Sequence, residues 1–340
     1  MQLQRVTSSQ VRKHNNAKSC WIIIRGRVYD VTSFIQDHPG GEDLILDRAG
    51  EDVTLVMADP LEHEHSESAY EMLEEYLIGE LVNEDTPPAT PPPSEIGTAI
   101  ATTKHNTGSK AKFLDLTQPL FPQMCRARFT KDFYMEQVHL PKHINGPARI
   151  FQSDAMELLT KTPWYVIPTI WVPVSGFYYF LSLGYLSVPT ATCVWFTGLF
   201  LWTLIEYVLH RFLFHIDDIL PDNQLAFILH FFMHGIHHYI PMDRLRLVMP
   251  PALFIILSTP LIRLAYFLFP RGISDGIVSG AIFGYVCYDL THYYLHHGRP
   301  LFEHLRQMKT YHLDHHYKNA EAGFGVTVKF WDYVFGTQLA

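Results

Sequence analysis

The sequence predicts a small α+β domain followed by an all-α, multi-pass membrane domain of about four transmembrane helices with further helices on the cytosolic side. Three observations predict it. Charged residues make up only 18% of the 340 residues, against roughly 25% in soluble globular chains, and the shortfall is concentrated after residue 163. Beyond that point lie four apolar stretches, about 166–186, 191–209, 249–269 and 273–291, each close to the roughly 20 residues that span a bilayer. The first eighty residues instead mix short strand-like and helix-like segments separated by Gly, Pro and polar residues.

The N-terminal segment MQLQRVTSSQVRKHNN has no apolar run. It is no cleavable signal peptide, so the first domain is expected to stay in the cytosol. Residues 21–31, WIIIRGRVYDV, read as two strands turning at Arg25-Gly26. Short helices are expected at 42–48, 52–58 and 66–76. His38 sits on a Pro-Gly-Gly turn, whose fixed backbone can aim the ring into a pocket. A second histidine about 25 residues on, at the start of a helix, can approach from the opposite side. Two opposed imidazoles saturate a haem iron, which then transfers electrons instead of binding dioxygen.

These residues carry a resemblance. VYDVTSFIQDHPGGEDLIL, AGEDVT, His65-Ser66 and YLIGEL together resemble a cytochrome b5 domain over essentially its whole length, placed at residues 1–82. The resemblance implies a haem b with His38 and His65 as axial ligands. His63, two residues from His65, is the alternative second ligand.

Residues 83–112 are rich in Pro, Thr, Ser and Gly and hold few large apolar side chains, so they read as a flexible linker. About 30 such residues have an r.m.s. span of roughly 30 Å, which would keep a tethered domain near a membrane partner. His105 lies there alone and is read as solvated. Residues 113–162 mix apolar and basic residues and read as short interfacial helices at the start of a membrane domain, 113–340.

Bulk properties exclude some functions. A net charge of −8 argues against a nucleic-acid binder. Cys20, Cys125, Cys193 and Cys287 are scattered without paired spacing, so neither a disulfide framework nor a thiolate metal site is expected.

Thirteen of the 20 histidines lie between His210 and His316, eleven of them in groups: His210 and His215; His234, His237 and His238; His292, His296 and His297; His312, His315 and His316. Neutral imidazole is the commonest protein metal ligand, and spacings of three and four place rings on one helix face. If residue 160 is cytosolic, the second span ends on that side at Tyr207–His215, and the third starts there after His238. The fourth returns at Tyr288–His297, so all four groups meet on one face. A structural zinc takes four ligands; ten well-spaced histidines fit two metals with about five each. Glu206 and Asp289, four and three residues before His210 and His292, can accept from the rings' other nitrogens, as can Tyr288. Interfacial anchoring is the competing role for all three. His230 is read as packing or supporting a ligand. His297 should point about 100° away from His296, and His304 stands alone.

EYVLHRFLFH, HGIHH, HYYLHH and YHLDHHYKN resemble the fatty acid hydroxylase superfamily over about residues 160–335. Fused to a b5 domain, they are similar to the fatty acid 2-hydroxylases of sphingolipid synthesis. The resemblance implies His210, His215, His234, His237, His238, His292, His296, His312, His315 and His316 as ligands of two metal ions, iron for catalysis with zinc as another bound species. It implies an endoplasmic reticulum enzyme that uses dioxygen and electrons from a cytochrome b5 reductase to hydroxylate the α-carbon of a long or very long acyl chain, free or in ceramide. The nearest alternative is a b5-fusion acyl desaturase. In those the last histidine box begins with Gln, where this chain has His312. A sterol oxidase rarely carries a fused haem domain, and a non-enzymatic electron carrier with structural zinc is the remaining reading.

Overall fold

A computed structural model describes residues 4–35, 38, 42–58, 65, 67–82, 113–142, 144, 146–298 and 300–339. They fall into two compact units that part at Asp115–Leu116. The expected linker, with His105, and His63 lie outside the described residues.

The first unit is α+β. Strands β1 (Gln4–Thr7), β2 (Asn15–Asn16), β3 (Ser19–Ile24), β4 (Arg27–Asp30) and β5 (Leu77–Val82) form a sheet ordered β1-β5-β4-β3-β2. β1 runs parallel to β5 and the other pairs are antiparallel. The expected hairpin is β3–β4, with Trp21 opposite Asp30 and Ile24 opposite Arg27. Its two turn residues, Arg25 (φ 52) and Gly26 (φ 75), both have positive φ, the requirement of the tight turn whose twist matches paired strands. Side chains alternate across β3. Ile22 and Ile24 join Tyr29, Val31, Ile35 and Val53 in one cluster, while Ile23 joins Val6, Val11 and Val28 in another. Besides α1 (Ser8–Val11), helices α2 (Glu42–Leu46), α3 (Thr54–Ala58) and α4 (Glu67–Leu73) stand where the sequence places them. Ile45, Leu46, Met57 and Leu73 cover the first cluster.

The second unit is helical. Its opening stretch forms three short helices, α5 (Leu120–Arg126), α6 (Lys131–Val138) and α7 (Asp154–Leu159), each too short to cross a bilayer. Buried Glu157 on α7 accepts from the Ile150 and Phe151 N–H groups (2.9 Å each) and pairs with Arg246. Arg246 also pairs with Asp243, which accepts from the Ala148 N–H. The loop after residue 240 is thereby tied to the interfacial segment.

Four long helices follow: α8 (Val166–Leu183), α9 (Val188–Leu209), α12 (Pro251–Leu268) and α13 (Arg271–His297), with α10 (Gln224–His230) and α11 (Ile236–Tyr239) between the second and third. α14 (Glu303–Tyr317) and α15 (Phe330–Phe335) complete the unit. Prolines set the starts of three long helices: Pro189 in the first turn of α9, Pro251 of α12, and Pro270 immediately before α13. A proline there gives up an N–H that has no partner anyway.

Among the described residues, three helices are long and apolar enough to cross a membrane: α8, α9 with its continuation to Ile219, and α12. The expected fourth stretch, 273–291, lies in α13, which is long enough at 27 residues but not among the three. The reason is packing. α13 is buried against its neighbours and carries Gly276, Gly280, Gly284 and Ser279 where they touch it. A Cβ on Gly280 would lie 1.9 Å from the Trp195 carbonyl oxygen, and one on Gly198 2.2 Å from that of Ile277, so the α9 and α13 backbones are in contact. Ser175 and Ser279 donate to each other's carbonyls (2.9 and 2.7 Å), and Ser182 donates to that of Gly272 (2.7 Å). Small residues and interhelical hydroxyl bonds are the usual means of joining helices in lipid.

These contacts set direction. Ser182 near Gly272 and Ser175 near Ser279 make α13 antiparallel to α8. Val194 near Gly276 and Trp202 near Gly284 make it parallel to α9. Helices α9 and α13 therefore finish at the same end of the bundle, where each carries histidines.

Candidate metal centre

The ten histidines meet at that end in two groups of five. One holds His210, His215, His234, His238 and His315; the other holds His237, His292, His296, His312 and His316, with the donor atoms of each group within 4.8 Å of one another. Nine of the ten are buried, and the His215 side chain is 4% exposed.

Helix geometry explains the partition. His234 and His238 stand four apart, on one face, and both enter the first group. His237 is about 100° from His238 and enters the second. The same spacing recurs on α14 with the groups exchanged: His312 and His316 enter the second group and His315 the first. Each adjacent pair of histidines thus feeds both groups, and the rings of His238 and His316 are 4.3 Å apart. His292 and His296, four apart on α13, share the second group. His210 and His215 are five apart, which on an α-helix would separate them by about 140°. Here residues 210–214 form a π-helical turn and the His215 N–H donates to the His210 carbonyl (3.0 Å), which brings the two rings together. Such turns occur frequently at functional sites.

Within the groups, Nε2 atoms face one another. Separations are 3.2 Å for His210–His234, 3.1 Å for His234–His238, His238–His215 and His215–His315, 2.9 Å for His237–His292 and His296–His312, and 3.1 Å for His312–His316. Two nitrogens bound to one ion at about 2.1 Å and 90° apart are about 3.0 Å from each other, against about 3.4 Å at the tetrahedral angle. The observed spacings fit ions with more than four ligands. Positively charged imidazolium is disfavoured in these groups. Burial holds the His234, His237, His238, His312, His315 and His316 rings well below the ordinary imidazole value, and neighbouring rings push the same way. Neutral rings converging their lone pairs repel unless a cation lies between them.

Backbone carbonyls fix two of the rings. Nδ1 of His210 donates to the Phe324 carbonyl (2.6 Å) and Nδ1 of His315 to that of Ala322 (2.7 Å), leaving each Nε2 as an inward acceptor. The loop that offers both carbonyls turns at Gly323 (φ 77). Buried Asp332 holds it by accepting from the Phe324 and Gly325 N–H groups (2.9 and 2.8 Å).

Of the three supporting side chains expected from sequence, Glu206 and Asp289 bond elsewhere, and Tyr288 packs against a ring without bonding it. Glu206 accepts from the N–H and hydroxyl of Thr327 (3.0 and 2.5 Å); it steadies the carbonyl loop, while Phe324 takes the His210 proton. Asp289 accepts from the Met249 N–H (3.0 Å) and the Tyr285 hydroxyl (3.0 Å), so it joins α13 to the start of α12. Tyr288 lies against His292, ring centroids 5.8 Å apart and 23° from parallel. The helix-spacing argument located these residues but missed nearer backbone partners.

A carboxylate not expected from sequence stands beside the first group. Asp217 lies 3.6 Å from Nδ1 of His215, 3.6 Å from Nε2 of His139 and 3.1 Å from Nε2 of His230. Nδ1 of His230 is 2.7 Å from the Tyr134 hydroxyl. Burial holds His139 down, to about 4, although Asp217 opposes it. The short spacing of His215 and Asp217 was a usable signal; nothing local marks His139, from a distant helix end. His230 stays outside both groups, as do His297, beside Tyr293 (5.0 Å), and exposed His304. His38 is buried, and in the first unit His65 lies 6.5 Å, ring to ring, from Tyr70.

Residues 7–82 match the family described as cytochrome b5-like heme/steroid binding domain, and residues 195–337 match the fatty acid hydroxylase family. The chain is 45% identical to the ceramide very long chain fatty acid hydroxylase SCS7 of Saccharomyces cerevisiae, over 99% of this chain and 95% of the relative. It is 35% identical to the fatty acid 2-hydroxylase of Homo sapiens, over 97% and 94%. A solved structure of full-length scs7p, with only the hydroxylase domain visible, superposes with a TM-score of 0.66 at 50% identity and covers 71% of this chain and 91% of its own. With both domains matched and identity running through nearly the whole length, the chain belongs to the fatty acid 2-hydroxylases, membrane enzymes with a fused cytochrome b5-type haem domain.

Proposed function

We propose that this enzyme hydroxylates the α-carbon of a long or very long acyl chain, free or in ceramide, in the endoplasmic reticulum membrane. Its haem domain and metal centre then face the cytosol. The observation that carries the reading is the pair of five-imidazole groups at the shared end of α9 and α13, where a lipid's polar head and first carbons would lie beside helices that bury in its tails.

The balance is one C–H bond, one dioxygen, two electrons and two protons in, and one C–OH and one water out. When bound, a redox-active ion pair, iron in this proposal, supplies dioxygen reduction and C–H oxidation; zinc would occupy the same nitrogens without a second oxidation state. His38 and His65 would hold a haem b, which would supply one-electron transfer from a b5 reductase. The chain's own residues orient. The Phe324 and Ala322 carbonyls keep Nδ1 protonated on His210 and His315 and so fix which nitrogen faces inward. Buried rings in two coupled groups hold the reacting carbon's surroundings rigid and largely dry, which favours attack at one position.

The test is expression with dioxygen and a b5 reductase, followed by mass spectrometry of the lipids. One added oxygen at the acyl α-carbon supports the proposal, and a new double bond would establish the desaturase instead. His38→Ala should stop turnover while metal content stays unchanged. Full activity of that variant with no other b5 protein present would remove the haem from the electron route.

A further inference from the structure

Between α9, α12 and α13 lies a small apolar cleft of ≈ 70 Å³, partly open to the outside. Trp202 and Ile205 line it from α9, Leu261 and Ala265 from α12, and Ile277 and Ala281 from α13. The lining hydroxyl, Ser258, turns back to the Ile255 carbonyl of its own helix (3.5 Å).

The cleft exists because α12 is fastened at its ends and unpacked between them. At one end Asp289 and Tyr285 hold Met249, just before the helix. At the other, Ser274 donates to the Ala265 and Phe269 carbonyls (3.0 Å each) and Tyr266 bonds Asp275. Of the residues of α12, Phe254 near its start is the one buried.

We propose that this cleft seats the far part of the acyl chain and sets which chain lengths are used, an inference that rests on the α-hydroxylase reading above. Two helices that wall the cleft lead directly to the metal groups. Trp202 precedes His210 by eight residues and Ala281 precedes His292 by eleven, so the cleft is about 12–16 Å from the histidines along the helix axes. A chain whose first carbons lie at the histidines meets it only with its distant methylenes. Its partly open, almost wholly apolar lining suits a lipid tail.

The test uses the full-length protein in membranes with reductase, dioxygen and a mixture of long and very long acyl substrates. The readout is the ratio of very-long-chain to long-chain α-hydroxylated products within each preparation, so loss of folded protein cancels. Ala281→Phe should lower that ratio at least about tenfold, the scale on which apolar pockets sense displaced methylenes. Ala265→Leu, on the opposite wall, should act in the same direction and serves if the first variant does not accumulate. Ile256→Phe, 67% exposed on α12 and outside the cleft, should leave the ratio unmoved. A ratio unchanged by both cleft variants would mean that ordinary bilayer lipid fills the cleft and would overturn the proposal. Absence of α-hydroxylated product of any length from the unaltered protein would instead sink the hydroxylase reading.

Discussion

His315 and His316 are adjacent in sequence, yet the structure assigns them to different groups. Replacing each with alanine, alone and with partners, tests the whole arrangement. Each ring is one of five in its group. Loss of a residue that merely supports a ligand costs roughly 10–100-fold in metal affinity, so losing a ligand should cost at least about 100-fold, or ~2.7 kcal/mol. The remaining group keeps all five rings. Metal per protein, measured by mass spectrometry after dialysis against a chelator that leaves the unaltered protein with two ions, should fall to about one for His315→Ala and for His316→Ala. His210→Ala with His315→Ala should also leave about one, because both belong to the first group. His315→Ala with His316→Ala should leave none. The reverse outcome, one ion kept by the adjacent pair and none by the distant pair, would refute the partition.

Three further outcomes follow from other parts of the structure. Asp217→Asn should weaken metal retention in the first group by roughly 10–100-fold in chelator competition, because it removes the charge beside Nδ1 of His215; unchanged retention would leave Asp217 a packing residue. Gly280→Val should destabilise the membrane unit by about 3 kcal/mol, seen as a lower melting temperature in detergent, since its Cβ meets the Trp195 carbonyl and the Leu199 nitrogen. At Glu157 burial raises the carboxyl, but the Phe151 and Ile150 N–H groups and Arg246 outweigh it and hold it below its ordinary 4.5. With the folded value below the unfolded one, its contribution is complete above pH 4.5 and lost as pH falls through the folded value. Glu157→Gln should flatten the acid limb of a stability profile; an unaltered limb would show that the pair contributes nothing there.

Much of this protein was legible without coordinates. The β3–β4 hairpin could be read because Arg25-Gly26 interrupts a period-two apolar run, and the apolar helices because lipid demands long uncharged segments. The histidines stood out because their spacings match helix faces, a local property. α13 falls short of the hydropathy of the other three because a helix enclosed by protein needs small residues such as Gly280 and Ser279 more than large apolar ones. Spacing also misdirected Glu206 and Asp289, since proximity along one helix does not say which other segment arrives first; Thr327 and Met249 did. What sequence alone determined was which rings are present and, except at His210 and His215 where a π-helical turn intervenes, which face of its helix each occupies. Which rings share a group, that the Phe324 and Ala322 carbonyls accept from His210 and His315, and that Asp217 and His139 stand beside them depended on tertiary structure. Those contacts join residues up to 114 positions apart, and no local rule carries information over such a separation.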